Sequence, residues 1–276
     1  MHWALELAGQ VQAKDIKKRL SSLRSYHVDL GFEIDVFRNP QLDRVVRGIK
    51  RLLPDPAPRV RTLITREILV KLLDSLDPTT PNGRLLRAAF SLAFAAFLRS
   101  GELIYEAQDM RNPDFPAWNI TRASIQFDPE GRYMLLLLPA SKTDPFRLGV
   151  TITIAHSPHD PRCAVKLMAA YLQNTATTDP RCPLFVRTGG VPFTRAFLIH
   201  EVQRLALANG IAGNFTGHSF RQGAATWASR QGLGSDQIQK LGQWKSAAYQ
   251  LYIDTNEQDK LALSRLFVGA AGIPAF

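Results

Sequence analysis

Cysteine is scarce. The 276 residues include two, Cys163 and Cys182, set 19 positions apart. They form no CxxC pair and have no histidine at ligand spacing, so neither a zinc site nor a disulfide framework is signalled, and a reducing compartment fits. No stretch approaches the roughly 18 apolar residues that a membrane span needs. The opening MHWALELAGQ has no apolar core of a secretory signal. No internal repeat or low-complexity tract is present. These absences lead us to expect an intracellular chain with no membrane partner. Acidic residues are also in deficit: 24 Asp+Glu stand against 34 Lys+Arg, a formal net charge of +10. Such a surplus points to a polyanionic partner, with nucleic acid the first candidate.

The positive charge is concentrated early. In AKDIKKRLSSLRSYHVD, residues 13–29, the apolar Ile16, Leu20, Leu23 and Val28 fall near helical spacing, while Lys14, Lys17, Lys18, Arg19 and Arg24 cover the other faces. A second basic helix is expected over Pro40–Leu53, with Asn39 and Pro40 suited to its cap and first turn and Arg44, Arg47, Lys50 and Arg51 along it. Such charges suit a solvated face or a contact with a DNA backbone. The run LPDPAPRVRT then packs Pro54, Pro56 and Pro58 together, which cannot continue a helix and marks a boundary between domains.

Beyond the boundary, TREILVKLLDS (65–75) predicts a helix. NGRLLRAAFSLAFAAFLR (82–99) is apolar around most of its circumference and reads as a buried central helix ending at Arg99. A charge delivered at the end of a buried helix is costly unless paired. Between Ser124 and Ile154 the pattern turns to strands: ASIQFD, YMLLLLP and GVTITI, with Lys142 in the connection between the second and third. Helices return with CAVKLMAAYLQN and with TRAFLIHEVQRLALANG, which Thr194 can cap and Gly210 can end. The expected fold is mainly α with one small antiparallel β-sheet.

One stretch, TGHSFRQGAATWASRQGLGSDQIQKLGQWKSAAYQLYI from Thr216 to Ile253, combines His218 and Arg221 three residues apart with Tyr249 and Tyr252 near its end. A guanidinium is always charged and presents a fork of donors matched to phosphate oxygens, and a tyrosine hydroxyl can form a covalent ester once its proton is taken. FLRSGEL (97–103), SKTDPFR (141–147), GHSFRQGAAT (217–226) and LGQWKSAAYQLYI (241–253) together resemble the tyrosine recombinase, or phage integrase, family in the family's own order. The resemblance covers about Thr62 to Thr255, and upstream IKKRLSSLRSYH looks like the family's core-binding domain. In wording, HSFRQGAAT with LGQWKSAAYQLYI is closer to recombinases of eukaryotic mobile elements of the DIRS and Crypton kinds, which implies a nuclear location.

The resemblance implies a helical core-binding domain at 1–53, short by one helix before Ile16, a Pro-rich linker at 54–62 and a catalytic domain with a C-terminal tail at 63–276. It implies Arg99 and Arg221 as a phosphate clamp, Glu102 as a group orienting Arg99 or neighbouring site groups, Lys142 as the acid for the leaving 5′-oxygen and His218 as the group accepting or sharing the tyrosine's proton. Tyr252 is the implied nucleophile. The remaining phosphate donor is Trp244, favoured, or Gln243, which stands nine residues before Tyr252. Lys17, Lys18, Arg24, Arg44, Arg47 and Lys50 are the implied DNA-binding residues. The partner would be double-stranded DNA, bound by a dimer per site and a homotetramer in synapsis, with no metal and no cofactor. Two alternatives are a type IB topoisomerase and a DNA-binding descendant that no longer cleaves.

Overall fold

In the computed structural model, residues 2–54, 60–139 and 148–244 are described here. The chain forms two compact units, Met1–Val60 and Arg61–Phe276.

The first unit holds α1 (His2–Glu6), α2 (Ala13–Asp29) and α3 (Pro40–Leu52). Asn39 caps α3 through its side chain, which accepts from Gln41 N, and Pro40 occupies the first turn. Its core is small: Ala4, Ala13, Ile16, Leu42 and Ile49 are buried, with Leu20, Val45 and Val46 packed against them. Of the apolar positions expected along α2, Leu23 and Val28 are instead exposed, at 39% and 53%. The 17-residue α2 outruns the five-residue α1 and 13-residue α3 available in this unit to cover it.

The second unit begins with a segment, Arg61–Ile64, that is hydrogen-bonded into it: Thr62 N donates to the Asn214 carbonyl and Ile64 N to that of Ser219, both at 3.0 Å. Next comes α4 (Arg66–Asp74), capped by Thr65, then α5 (Pro81–Ala95), capped by Thr80 with Pro81 in its first turn. Ten residues of α5 are buried, among them Leu85, Phe90 and Leu92, so this helix is the axis of the unit. Two short helices follow, α6 (Ala107–Met110) and α7 (Phe115–Trp118). Strands β1 (Ile125–Phe127), β2 (Tyr133–Leu138) and β3 (Val150–Ala155) make an antiparallel meander in the order β1-β2-β3. Met134, Leu136 and Leu138 of β2 point into the core, as a period of two requires. After α8 (Ala164–Gln173) a two-stranded ladder, β4 (Val186–Arg187) with β5 (Val191–Pro192), turns over Gly189 and Gly190. At two residues each, those strands are too short for alternation to reveal in sequence. The unit continues with α9 (Arg195–Ala208), capped by Thr194, then α10 (Ser219–Arg230) and α11 (Ser235–Gly242).

The expected end of the central helix is displaced. α5 stops at Ala95 because Phe97 takes a left-handed conformation, φ 53°. Leu98 N then returns to the Ala93 carbonyl at 2.9 Å and Phe97 N to that of Phe94 at 3.2 Å, the paired bonds of a Schellman ending. Arg99 therefore leaves the helix on an extended residue that opens the single 3-10 turn Ser100–Glu102.

Candidate active site

α10 starts from a turn closed by its own side chains. Thr216 N donates to Ser219 Oγ at 2.8 Å and Ser219 N to the Thr216 carbonyl at 3.0 Å. His218 stands just ahead of the helix and Arg221 in its first turn, so a separation of three puts both on one face. The Arg99 turn docks on this one: Ser100 N donates to the Gly217 carbonyl at 2.9 Å. A Cβ at Gly217 would lie 2.1 Å from Ser100 Oγ, so any larger residue there would push that hydroxyl aside. Glu102 accepts from Arg99 N at 2.8 Å and from Arg99 Nη1 at 2.9 Å. Its side chain is only 10% exposed against 25% for Arg99, so Glu102 fixes the guanidinium while leaving it open on one side.

Arg221 is held differently. It is 4% exposed. Nη1 donates to the Phe97 carbonyl at 2.6 Å and Nη2 to the Gly242 carbonyl. The Trp244 ring covers it, with the guanidinium carbon 4.1 Å from the ring centre, a desolvated cation–π contact. Trp244 also meets Phe97 edge to face at 6.1 Å. The second carbonyl belongs to another left-handed ending: Gln243 has φ 55°, and Trp244 N returns to the Gln239 carbonyl at 3.1 Å. Arg221 thus joins the carbonyl ends of α5 and α11, where the negative ends of two helix dipoles meet.

The electrostatic centre is His218, half-buried in this cluster. Burial first, and then the charges of Arg61, Arg99, Arg195 and Arg221, hold its pKa below the usual histidine value. The imidazole is therefore neutral near neutral pH and can accept a proton. Arg61 arrives because residues 61–64 cross α10 closely; a Cβ on Gly223 would lie 1.9 Å from the Ile64 carbonyl oxygen.

Of the residues predicted for the site, the fold brings together Arg99, Glu102, His218, Arg221 and Trp244. Gln243, half-buried, sits at the left-handed step between Gly242 and Trp244. Trp244 is 7% exposed and belongs to the core, with its ring against Arg221. Lys142, Tyr249 and Tyr252 lie outside the described residues. Sequence reasoning missed Arg61 and Arg195. Arg195 carried one local signal, a cation in the first turn of a helix that Thr194 caps, against the preference set by the helix dipole. In the first unit, Lys17, Lys18, Arg24, Arg44, Arg47 and Lys50 are all exposed. Lys17, Arg24 and Arg47 share the wall of a groove of about 520 Å³ with Asp43; Lys18, Arg44 and Lys50 do not line it.

Comparison with known proteins adds to this geometry. A sequence profile described as the phage integrase family matches residues 132–259. The integrase/recombinase xerD homolog of Selenomonas ruminantium is 27% identical over 256 residues, spanning 87% of this chain and 68% of that protein. The chain is similar to the phage integrase family over residues 132–259. The matched residues carry the β-meander's second and third strands, His218, Arg221 and the Gln243–Trp244 step. Among solved structures, XerA recombinase superposes with a TM-score of 0.52 at 17% identity, covering 96% of this chain and 80% of that one. The Tn1549 transposon integrase in complex with transposon right end DNA gives 0.59 at 15% identity, covering 97% and 84%. At such identities the likeness bears on the fold alone, a mainly helical chain with a small antiparallel sheet. Among the described residues no group of three His, Cys, Asp or Glu side chains could hold a metal, and no helix is long and apolar enough to cross a membrane.

Proposed function

We propose that this chain cleaves and rejoins DNA strands through a covalent 3′-phosphotyrosine intermediate, as a site-specific recombinase. The observation that carries the reading is the seating of four arginine charges around one half-buried, neutral imidazole. Attack of a tyrosine hydroxyl on a phosphodiester gathers negative charge on the non-bridging oxygens, and fixed cations at that point are the main source of acceleration, each worth on the order of 3 kcal/mol by analogy with oxyanion donors. Arg99, held by Glu102 and partly open, binds those oxygens; Arg221 fixes the charge behind it. His218 takes the proton of Tyr252 as the Tyr–phosphorus bond forms. The 5′-oxygen leaves with a proton supplied by Lys142. A 5′-hydroxyl then attacks the ester, whose bond energy is that of the phosphodiester broken, so no nucleotide cofactor is needed.

For the remaining phosphate donor we assign Gln243, and to Trp244 the support of Arg221, because the indole is buried with its face against that guanidinium. Residues 1–53 serve as the DNA-binding domain, 54–62 as the linker and 63–276 as the catalytic domain. The exposed Lys17, Lys18, Arg24, Arg44, Arg47 and Lys50 contact the duplex backbone, which makes binding steeply salt-dependent. The solved transposon integrase complex with DNA supports double-stranded DNA as the partner. The wording of residues 217–226 and 241–253 supports a finer reading: a recombinase of a eukaryotic DIRS- or Crypton-type mobile element, acting in the nucleus as a homotetramer with a dimer on each site. The relative in Selenomonas ruminantium is bacterial, so this finer reading rests on those residues alone.

The test uses a library of nicked duplexes with randomised arms, which traps a cleaved strand on the protein. Wild type is expected to form an adduct that survives denaturation and Tyr252→Phe to form none. An adduct that persists in Tyr252→Phe and disappears in Tyr249→Phe overturns the nucleophile assignment; no adduct from wild type overturns cleavage itself.

A further inference from the structure

Arg195 opens α9 directly after its Thr194 cap. Its side chain is exposed and makes no recorded hydrogen bond or ion pair with the described residues. A cation at a helix start faces the positive end of the dipole, and among the described residues no carboxylate pairs with it to offset that cost. The guanidinium nevertheless has a defined seat. A Cβ on Gly217 would lie 3.0 Å from Nη1, and a Cβ on Gly101 would lie 3.7 Å from Nη2. Those glycines belong to the turns that carry His218 and Arg99, which are joined by the Ser100 N to Gly217 carbonyl bond. Arg195 therefore lies across the seam where the two turns meet.

We propose that Arg195 is a further phosphate-binding arginine of this site, contacting the scissile phosphate or its immediate neighbour. The inference rests on the cleavage reading above for its substrate. Three observations support it together. The side chain lies against two glycines rather than in an ion pair with the described residues, and it is exposed, so its donors are open to an incoming anion. Its position disfavours a cation unless an anion arrives. Its charge acts on His218 alongside those of Arg61, Arg99 and Arg221. A bidentate fork suits a phosphate, and lysine, a point charge, replaces it incompletely.

The test pairs Arg195→Ala, Arg195→Gln and Arg195→Lys with nicked duplexes in which single phosphates near the cleavage point are replaced by uncharged methylphosphonates. On the all-phosphate substrate, Arg195→Ala and Arg195→Gln are expected to slow adduct formation roughly ten- to a hundredfold, the range for one hydrogen bond to a charged group. Arg195→Lys should fall between them and wild type. The urea unfolding midpoint should not move. One methylphosphonate position should erase the difference between wild type and Arg195→Ala, because the contacted charge is then absent for both. Adduct formation by Arg195→Ala at the wild-type rate, or a deficit that no single methylphosphonate erases, overturns the proposal. Should wild type form no adduct, the cleavage reading fails, and the salt dependence of duplex binding still decides Arg195: a phosphate contact lowers the slope by about one in Arg195→Ala, and an unchanged slope refutes it.

Discussion

Arg221 does two jobs that are usually separate, and Arg221→Ala should expose both. The substitution strands the Phe97 and Gly242 carbonyls, which this guanidinium satisfies, and removes the cation over the Trp244 ring. A buried acceptor left without its donor costs about 1–3 kcal/mol, and a desolvated cation–π pair about 2 kcal/mol. Taking two carbonyls and one stacked pair, the loss is roughly 4–8 kcal/mol. Domains of this kind have only about 5–15 kcal/mol in hand, so the variant should lose a large part of its stability. Arg221→Lys keeps a charge that can reach one carbonyl, and should lose about half as much. Arg99 is the control: one-quarter exposed and paired with a neighbour three residues away, its replacement by alanine should cost about 1 kcal/mol while still blocking cleavage. Urea titration followed by tryptophan fluorescence ranks the three variants. An Arg221→Ala protein as stable as Arg99→Ala would show that the two helix ends do not depend on this side chain, and the account of the site would fail with it.

Two other outcomes follow from the same region. His218 has its pKa lowered by burial and by four arginines, so its contribution to stability is complete above the unfolded value of about 6.5 and is lost as pH falls through the folded one. Wild type should thus lose stability relative to His218→Gln on acidification from about pH 7 to 5; parallel curves for the two proteins would contradict this. Gly223→Ala places a Cβ 1.9 Å from the Ile64 carbonyl oxygen, and the backbone must yield. The expected cost is about 1–3 kcal/mol, with weaker cleavage as Arg61 moves; a urea midpoint equal to wild type would mean that segment 61–64 has another seat.

Much of the scaffold was readable from local pattern. The apolar circumference of residues 82–99 marked the buried helix, period-two alternation marked the meander, and Thr65, Asn39 and Thr194 cap the helices they precede. His218 and Arg221 fall on one face because a separation of three does that in any helix. What stayed hidden depends on tertiary contact. Phe97 and Gln243 adopt left-handed conformations that glycine takes freely and other residues enter only under constraint. Beside both, a buried arginine from another helix donates to a carbonyl, that of Phe97 itself and that of Gly242, a contact that no window of sequence contains. The same cause concealed the difference between Gln243 and Trp244: the helix ends at Gly242, just before them, so helical periodicity cannot say which one turns inward. Arg61 and Arg195 come to His218 from separate segments, one extended stretch that crosses α10 and one helix start.

The bonds from Arg221 to the ends of α5 and α11 span 124 and 21 positions of sequence. Neither helix terminus can take its final shape on its own, and the cation has no fixed place until both have done so. A nascent or partly melted chain therefore presents loose arginines to DNA but no assembled pocket for a phosphate. Under the cleavage reading proposed above, the site is in this way assembled only once the chain has folded, with one guanidinium holding both helix ends.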